Sequence, residues 1–164
     1  MTPISFEVIP LDSVPQDDVT ENGQTEKPVL LIVDDEPLVA DTHSVILSRE
    51  GFSVMKAYNA ASALRQAALR TPHLMVTDVA MPGMNGIDLA VTMQEVCPTC
   101  KVLLFSGHNA SGKILAASGQ EFRLLTKPVH PTKLVTYISR ELGLPEPTYR
   151  TAPPRPTILY RESA

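Results

Sequence analysis

The sequence predicts a doubly wound α/β fold around a five-stranded parallel sheet. Two observations carry that prediction and a third locates the chemistry. Short aliphatic runs such as Val29-Leu30-Leu31-Ile32-Val33 are continuous rather than alternating, as expected of strands covered on both faces. Strand-like and helix-like segments then alternate five times along the chain, which calls for parallel strands, right-handed crossovers and helices on both faces. The runs also end in polar residues. The first meets Asp34-Asp35-Glu36, Leu74-Met75-Val76 leads through Thr77 to Asp78, Val102 to Phe105 meets Ser106, and Phe122 to Leu125 meets Thr126-Lys127-Pro128. Open α/β sheets collect their chemistry at the carboxyl ends of the strands, so these groups are expected at one rim.

The elements follow in order. Residues 29–33 form the first strand. Pro37 suits the first turn of a helix that runs to about residue 50, with Leu38, Val39, Val45, Ile46 and Leu47 as its apolar face, and Gly51 is a natural stop. A second strand covers 52–57. Asn59 is placed to cap a helix over 60–70, with Leu64, Ala67 and Ala68 facing inward, and Thr71-Pro72 ends it. The third strand, 74–77, delivers Asp78. After Gly86 a helix covers 87–96 with Leu89, Ala90 and Met93 as its buried stripe, stopped by Pro98. The fourth strand is 101–105. The following helix, 109–118, is the weakest, because Ser111, Gly112 and Ser118 all lower its propensity. The fifth strand is 122–125, and the last helix, 131–142, carries Leu134, Val135, Ile138 and Leu142 before Gly143.

With 164 residues the chain holds one domain with a proper core and is too short for two ordinary ones. Charge and proline divide it into three parts. Residues 1–27 contain six acids and one base, residues 28–144 ten of each, and residues 145–164 three arginines and two glutamates. Nine of the fifteen prolines lie in 1–28 and 145–164. A domain at 28–144 between an acidic, Pro-rich N-terminal extension (1–27) and a Pro-rich C-terminal tail (145–164) follows, with residues 11–27 expected to be disordered. Two apolar stretches interrupt the tails: Ile4-Ser5-Phe6-Glu7-Val8-Ile9 and Thr157-Ile158-Leu159-Tyr160. A short strand needs partners, so the two stretches either pair with each other or across a homodimer, or are both disordered like the residues around them. No apolar run reaches membrane-span length and the N-terminus has no signal-peptide pattern, so a cytoplasmic protein with no membrane partner is expected. The mildly negative net charge argues against a nucleic-acid surface.

Asp34, Asp35, Asp78, Ser106 and Lys127, with the Met81-Pro82-Gly83-Met84-Asn85-Gly86 loop and Pro128, occur in order at successive strand ends or loops. This pattern resembles the receiver domain of bacterial two-component response regulators, the CheY-like family, over roughly residues 28–144. The resemblance implies the flavodoxin-like strand order 2-1-3-4-5 and a cis peptide at Lys127-Pro128. It implies that Asp78 accepts a phosphoryl group from a sensor histidine kinase or histidine phosphotransfer protein. Asp35, Asp78 and the backbone carbonyl of Ala80 would bind Mg²⁺, and Asp34 would act mainly through water. Lys127 and Ser106 would neutralise and hydrogen-bond phosphoryl oxygens. The chemistry agrees: a carboxylate can form an aspartyl phosphate, and three crowded carboxylates ask for a cation that takes oxygen ligands. Positioning and charge neutralisation then supply the catalysis.

The expected role is a stand-alone, phosphorylation-controlled binding module rather than an enzyme, with output to a protein through the 109–142 face. A phosphate sink or scaffold receiver is the alternative. A Mg²⁺-dependent aspartyl-phosphate phosphatase is a further one, but those enzymes resemble a DxD pattern that Val33-Asp34-Asp35-Glu36 lacks. Simpler roles also fit single residues: Asp34-Asp35 as a helix-capping pair, Ser106 as a turn residue, Lys127 as a solvated side chain, Gly83 and Gly86 as turn formers. Two departures from the family stand out. Leu124 occupies the place where members often carry a switch aromatic, with Phe122 two residues earlier. Ala80 and His108 occupy the flanking positions that tune hydrolysis of the phosphoaspartate. Cys97-Pro98-Thr99-Cys100 sits at a helix C-terminus, the wrong end to activate a thiol, and is read as two ordinary thiols. His43, His73, His108 and His130 show no metal-ligand spacing and are read as structural or solvent-facing.

Overall fold

The computed structural model describes residues 26–107, 116, 119 and 121–145. They form β1 (Val29–Val33), α1 (Pro37–Arg49), β2 (Ser53–Ala57), α2 (Ala60–Leu69), β3 (Leu74–Asp78), α3 (Gly86–Val96), β4 (Lys101–Ser106), β5 (Arg123–Thr126) and α4 (Pro131–Leu142). One parallel sheet holds all five strands in the order β2-β1-β3-β4-β5, the expected order. Apart from Ala116, which is helical and exposed, the helix expected at 109–118 lies outside the described residues, as do His108 and both apolar stretches of the tails.

Alternation along the strands builds two core layers. Leu31, Val33, Met75, Val102 and Leu104 face one side and meet α2 and α3. Leu30, Ile32, Leu74, Val76, Leu103 and Phe105 face the other and meet α1 and α4. Both faces of β1 and β3 are buried along their whole length, the physical reason for their unbroken apolar runs.

The helices dock differently from expectation in two places. On α1, Leu38 is 79% and Val45 51% exposed, while Ala40, Ser44 and Leu47 are buried. The buried positions follow i, i+4, i+7 spacing. The small side chains of Ala40 and Ser44 let α1 lie close to the sheet, and the Ser44 hydroxyl donates back to the Ala40 carbonyl at 2.7 Å. On α2, Ala60, Ala63 and Ala67 make the contact, with Leu64 half-buried beside them and Ala68 exposed. On α3, Leu89, Ala90 and Met93 are buried as expected. Asn59 caps α2 by accepting the Ser62 amide at 2.8 Å.

β5 begins one residue later than the sequence predicts. Phe122 precedes it, yet Phe122 and Leu124 still pack against the same core, the one under α2 and α3. β4 runs one residue further than expected, so Ser106 belongs to the strand.

Candidate functional site

The register of the sheet makes the site. Val33 pairs with Thr77 across β1 and β3, so Asp34 and Asp78 emerge side by side. Ser106 pairs with Thr126 across β4 and β5, and the Lys127 amide donates to the Ser106 carbonyl at 2.7 Å. Three neighbouring strand ends thus carry carboxylate, carboxylate and hydroxyl, and the lysine reaches across from the fourth. The Lys127-Pro128 peptide is cis, as expected.

Lys127 Nζ lies 2.9 Å from Asp34 Oδ2 and 2.9 Å from Asp78 Oδ1. The second Asp34 oxygen accepts the Glu36 amide at 3.0 Å, an Asx turn leading into α1; the N-cap residue of α1 is Glu36 and no side chain caps it, so the helix-capping role foreseen for the acidic pair is not realised. Asp34, Asp35 and Asp78 each offer a carboxylate oxygen within 4.8 Å of the others. Asp34 and Asp78 are buried and Asp35 is half-buried. Three carboxylates and one ammonium leave a formal charge of about −2, and the donors are all oxygen, a set that suits a hard divalent cation. Ser106 is buried inside β4, which sets aside the turn-residue role. Ala80 is exposed in the loop after β3.

Electrostatics single out Asp78. Burial pushes its carboxyl above the usual carboxylate value, the Lys127 ammonium opposes that, and the charges of Asp34 and Asp35 add to it. Burial acts against the Lys127 ammonium, but its hydrogen bonds to Asp78 and Asp34 prevail and hold its pKa above the ordinary lysine value. An acidic group that ionises reluctantly, beside a cation that stays charged, is a combination that accumulates at functional sites.

Gly86 has a role beyond the turn foreseen for it. It opens α3 and is buried, and a Cβ there would stand 2.0 Å from the Asp78 carbonyl oxygen. The helix therefore abuts the backbone of β3 with no side chain between. Gly83, at φ +74°, does serve as a turn former.

Among the histidines, His73 Nδ1 accepts the Val29 amide at 2.9 Å and His130 Nδ1 accepts the Thr132 amide at 3.3 Å, both structural. His43 is more informative. It is half-buried edge-on to Phe105, ring centroids 5.6 Å apart, and burial lowers its pKa while Asp34 pulls it up and Lys127 pulls it down. His43 shares the α1 face of Ala40 and Leu47, and no spacing in the sequence marked it for the site. Cys97 and Cys100 are buried free thiols. Burial pushes the Cys100 thiol up to about 12, which fits ordinary thiols rather than reactive ones.

Comparison with known proteins agrees with this geometry. Residues 30–139 match the response regulator receiver domain model. Over 116 residues the chain is 32% identical to the nitrogen assimilation regulatory protein NtrX of Azorhizobium caulinodans, covering 69% of this chain and 26% of that relative. It is 33% identical over 118 residues to the DNA-binding transcriptional regulator NtrC of Rhizobium meliloti, covering 71% of this chain and 24% of NtrC. The chain thus spans about a quarter of the length of these relatives. Among solved structures, a CheY-like receiver domain protein of Methanospirillum hungatei superposes with a TM-score of 0.66 at 25% identity, over 72% of this chain and 95% of that one. No helix among the described residues is long and apolar enough to cross a membrane. Strand order, acidic cluster and bridging lysine converge on one assignment: the chain belongs to the response regulator receiver family of two-component signalling.

Proposed function

We propose that this chain is a phosphoacceptor switch in which Asp78 receives a phosphoryl group from a phosphohistidine on a sensor histidine kinase or histidine phosphotransfer protein. The observation that carries the proposal is the cluster of Asp34, Asp35 and Asp78 with Lys127 shared at 2.9 Å between Asp34 and Asp78. An Asp78 oxygen attacks phosphorus, the P–N bond of the donor breaks, and an acyl phosphate forms on Asp78; attack by water later returns inorganic phosphate and the free carboxylate. Lys127 turns its ammonium to a phosphoryl oxygen, and Ser106 donates its hydroxyl to another. Mg²⁺ held by Asp35, Asp78 and the Ala80 carbonyl, with Asp34 acting through water, would supply the remaining positive charge at the phosphoryl oxygens. The domain lies within residues 28–144, in the cytoplasm. It is a signalling module rather than an enzyme acting on a separate substrate, and its output is a protein partner at the 109–142 face.

Incubation with Mg²⁺ and a small acyl phosphate such as acetyl phosphate should add one phosphoryl mass to the chain. Asp78→Asn should abolish the addition, and chelation of Mg²⁺ should suppress it in the unaltered chain. An Asn variant that gains the mass at the original rate refutes the assignment. Lys127→Ala should leave Mg²⁺ binding in place while slowing phosphorylation or blunting the structural response.

A further inference from the structure

Thr77 is the most deeply buried polar side chain among the described residues, with 0% exposure. It pairs with Val33 on one side and Leu104 on the other, and both belong to the core under α2 and α3. Paired residues of neighbouring strands share a face, so Thr77 stands in that apolar layer. Valine would have the same shape there and bring no hydroxyl. A buried hydroxyl is costly unless it is hydrogen-bonded. Thr77 Oγ1 meets that demand by donating to the carbonyl oxygen of Asp78 at 3.1 Å.

That carbonyl belongs to the peptide unit joining Asp78 to Val79, and the unit is held at three points. Its N–H, from Val79, donates to the Phe105 carbonyl on β4 at 2.8 Å. Its oxygen takes the Thr77 hydroxyl. Gly86, at the start of α3, closes over the same oxygen, where an added Cβ would stand at 2.0 Å. β4 thus fixes the nitrogen end, α3 crowds the oxygen, and the hydroxyl gives that oxygen a hydrogen bond. The plane of this peptide sets ψ of Asp78, and the rotamers open to a side chain depend on its backbone angles. A hydroxyl inside the core therefore bears on the direction of a carboxylate at the rim, whose Oδ1 lies 2.9 Å from Lys127 Nζ. Phosphoryl transfer is chiefly positioning and charge neutralisation, and a misplacement of about 1 Å can cost about 100-fold in rate.

We propose that Thr77 is a positioning residue for phosphoryl transfer to Asp78, its buried hydroxyl holding the Asp78–Val79 peptide so that the carboxylate keeps its line of attack. The inference rests on Asp78 as the acceptor. The test is phosphorylation of the full chain by acetyl phosphate at saturating Mg²⁺, followed by intact mass, in the unaltered chain, Thr77→Val, Thr77→Ser and Asp78→Asn. In that reaction an Asp78 oxygen attacks phosphorus, the bond from phosphorus to the acetyl oxygen breaks, and acetate leaves. Thr77→Val keeps the shape and removes the donor, and should be phosphorylated about tenfold more slowly. Thr77→Ser keeps the donor and loses a core methyl, so its urea midpoint should fall while its phosphorylation rate stays close to the original. Rate then follows the hydroxyl and not stability, a split that a merely structural threonine would not produce. The carbonyl carbon resonance of Asp78 should likewise shift in Thr77→Val and hold its place in Thr77→Ser. Should valine prevent folding, Thr77→Ala set against Thr77→Ser makes the same comparison, with the hydroxyl as the difference. An unchanged rate in Thr77→Val overturns the inference, as does equal slowing in the valine and serine variants. Asp78→Asn separates the two readings. If it abolishes the mass gain while Thr77→Val keeps the original rate, this inference fails and the acceptor assignment stands; if it gains the mass at the original rate, both fail.

Discussion

Replacing Gly86 with alanine tests how β3 and α3 fit together. The added Cβ would lie 2.0 Å from the Asp78 carbonyl oxygen, 2.8 Å from its carbonyl carbon and 2.9 Å from Val79 Cα. A comfortable carbon–oxygen contact begins near 3.3 Å, so the helix start and the strand end must part by roughly 1.3 Å. Every atom in the way is backbone, which no rotamer change relieves, and the Gly86 amide is held to the Val79 carbonyl at 3.0 Å. Overpacking of this kind costs about 1–3 kcal/mol or more, and here the upper end applies. Alanine returns about 1 kcal/mol through helix propensity, leaving a net loss of about 2 kcal/mol. In urea, with a slope of about 1–3 kcal/mol/M, the unfolding midpoint should fall by about 1 M at unchanged slope. Gly83→Ala provides the contrast: nothing lies within 4 Å of its Cβ position, so only the left-handed backbone penalty of about 1–2 kcal/mol applies. A Gly86→Ala midpoint equal to or above that of the unaltered chain would refute the close-approach argument.

Two further predictions concern titratable groups. The Asp78 pKa is raised in the folded chain above its ordinary 3.8, so the folded state loses stability as pH climbs from about 3.8 through the folded value, and the penalty is complete above it. Asp78→Asn should therefore melt at a higher temperature than the unaltered chain at pH 7, with the gap closing below about pH 4; an equal or lower melting temperature at pH 7 contradicts this. Cys97 and Cys100 should resist iodoacetamide at pH 8 in the native chain and react once it is unfolded in urea, read as carbamidomethyl mass; fast native labelling would reopen the redox reading of the pair.

The fold was legible because β1, β3 and β4 are buried on both faces and their sequences show it. The site was legible because each of its side chains closes a strand, so finding the strand ends located the chemistry. Helix faces were harder to read. Leu38 and Val45 look like core residues by hydropathy, yet α1 approaches the sheet through Ala40 and Ser44, where smallness matters more than apolarity. Ala68 failed for a related reason: alanine suits either side of a helix, and only the spacing of Ala60, Ala63 and Ala67 decides which. Gly86 could be read as a turn former from sequence, but its contact with Asp78 depends on two elements meeting in space, which no local pattern encodes.

Lys127 is attached just beyond β5 yet divides its ammonium between the ends of β1 and β3, at 2.9 Å from each carboxylate. That sharing has an electrostatic consequence. If Asp78 accepts a phosphoryl group as proposed, the lysine's second contact passes to that group while the contact to Asp34 persists, so the ammonium keeps a counterion throughout.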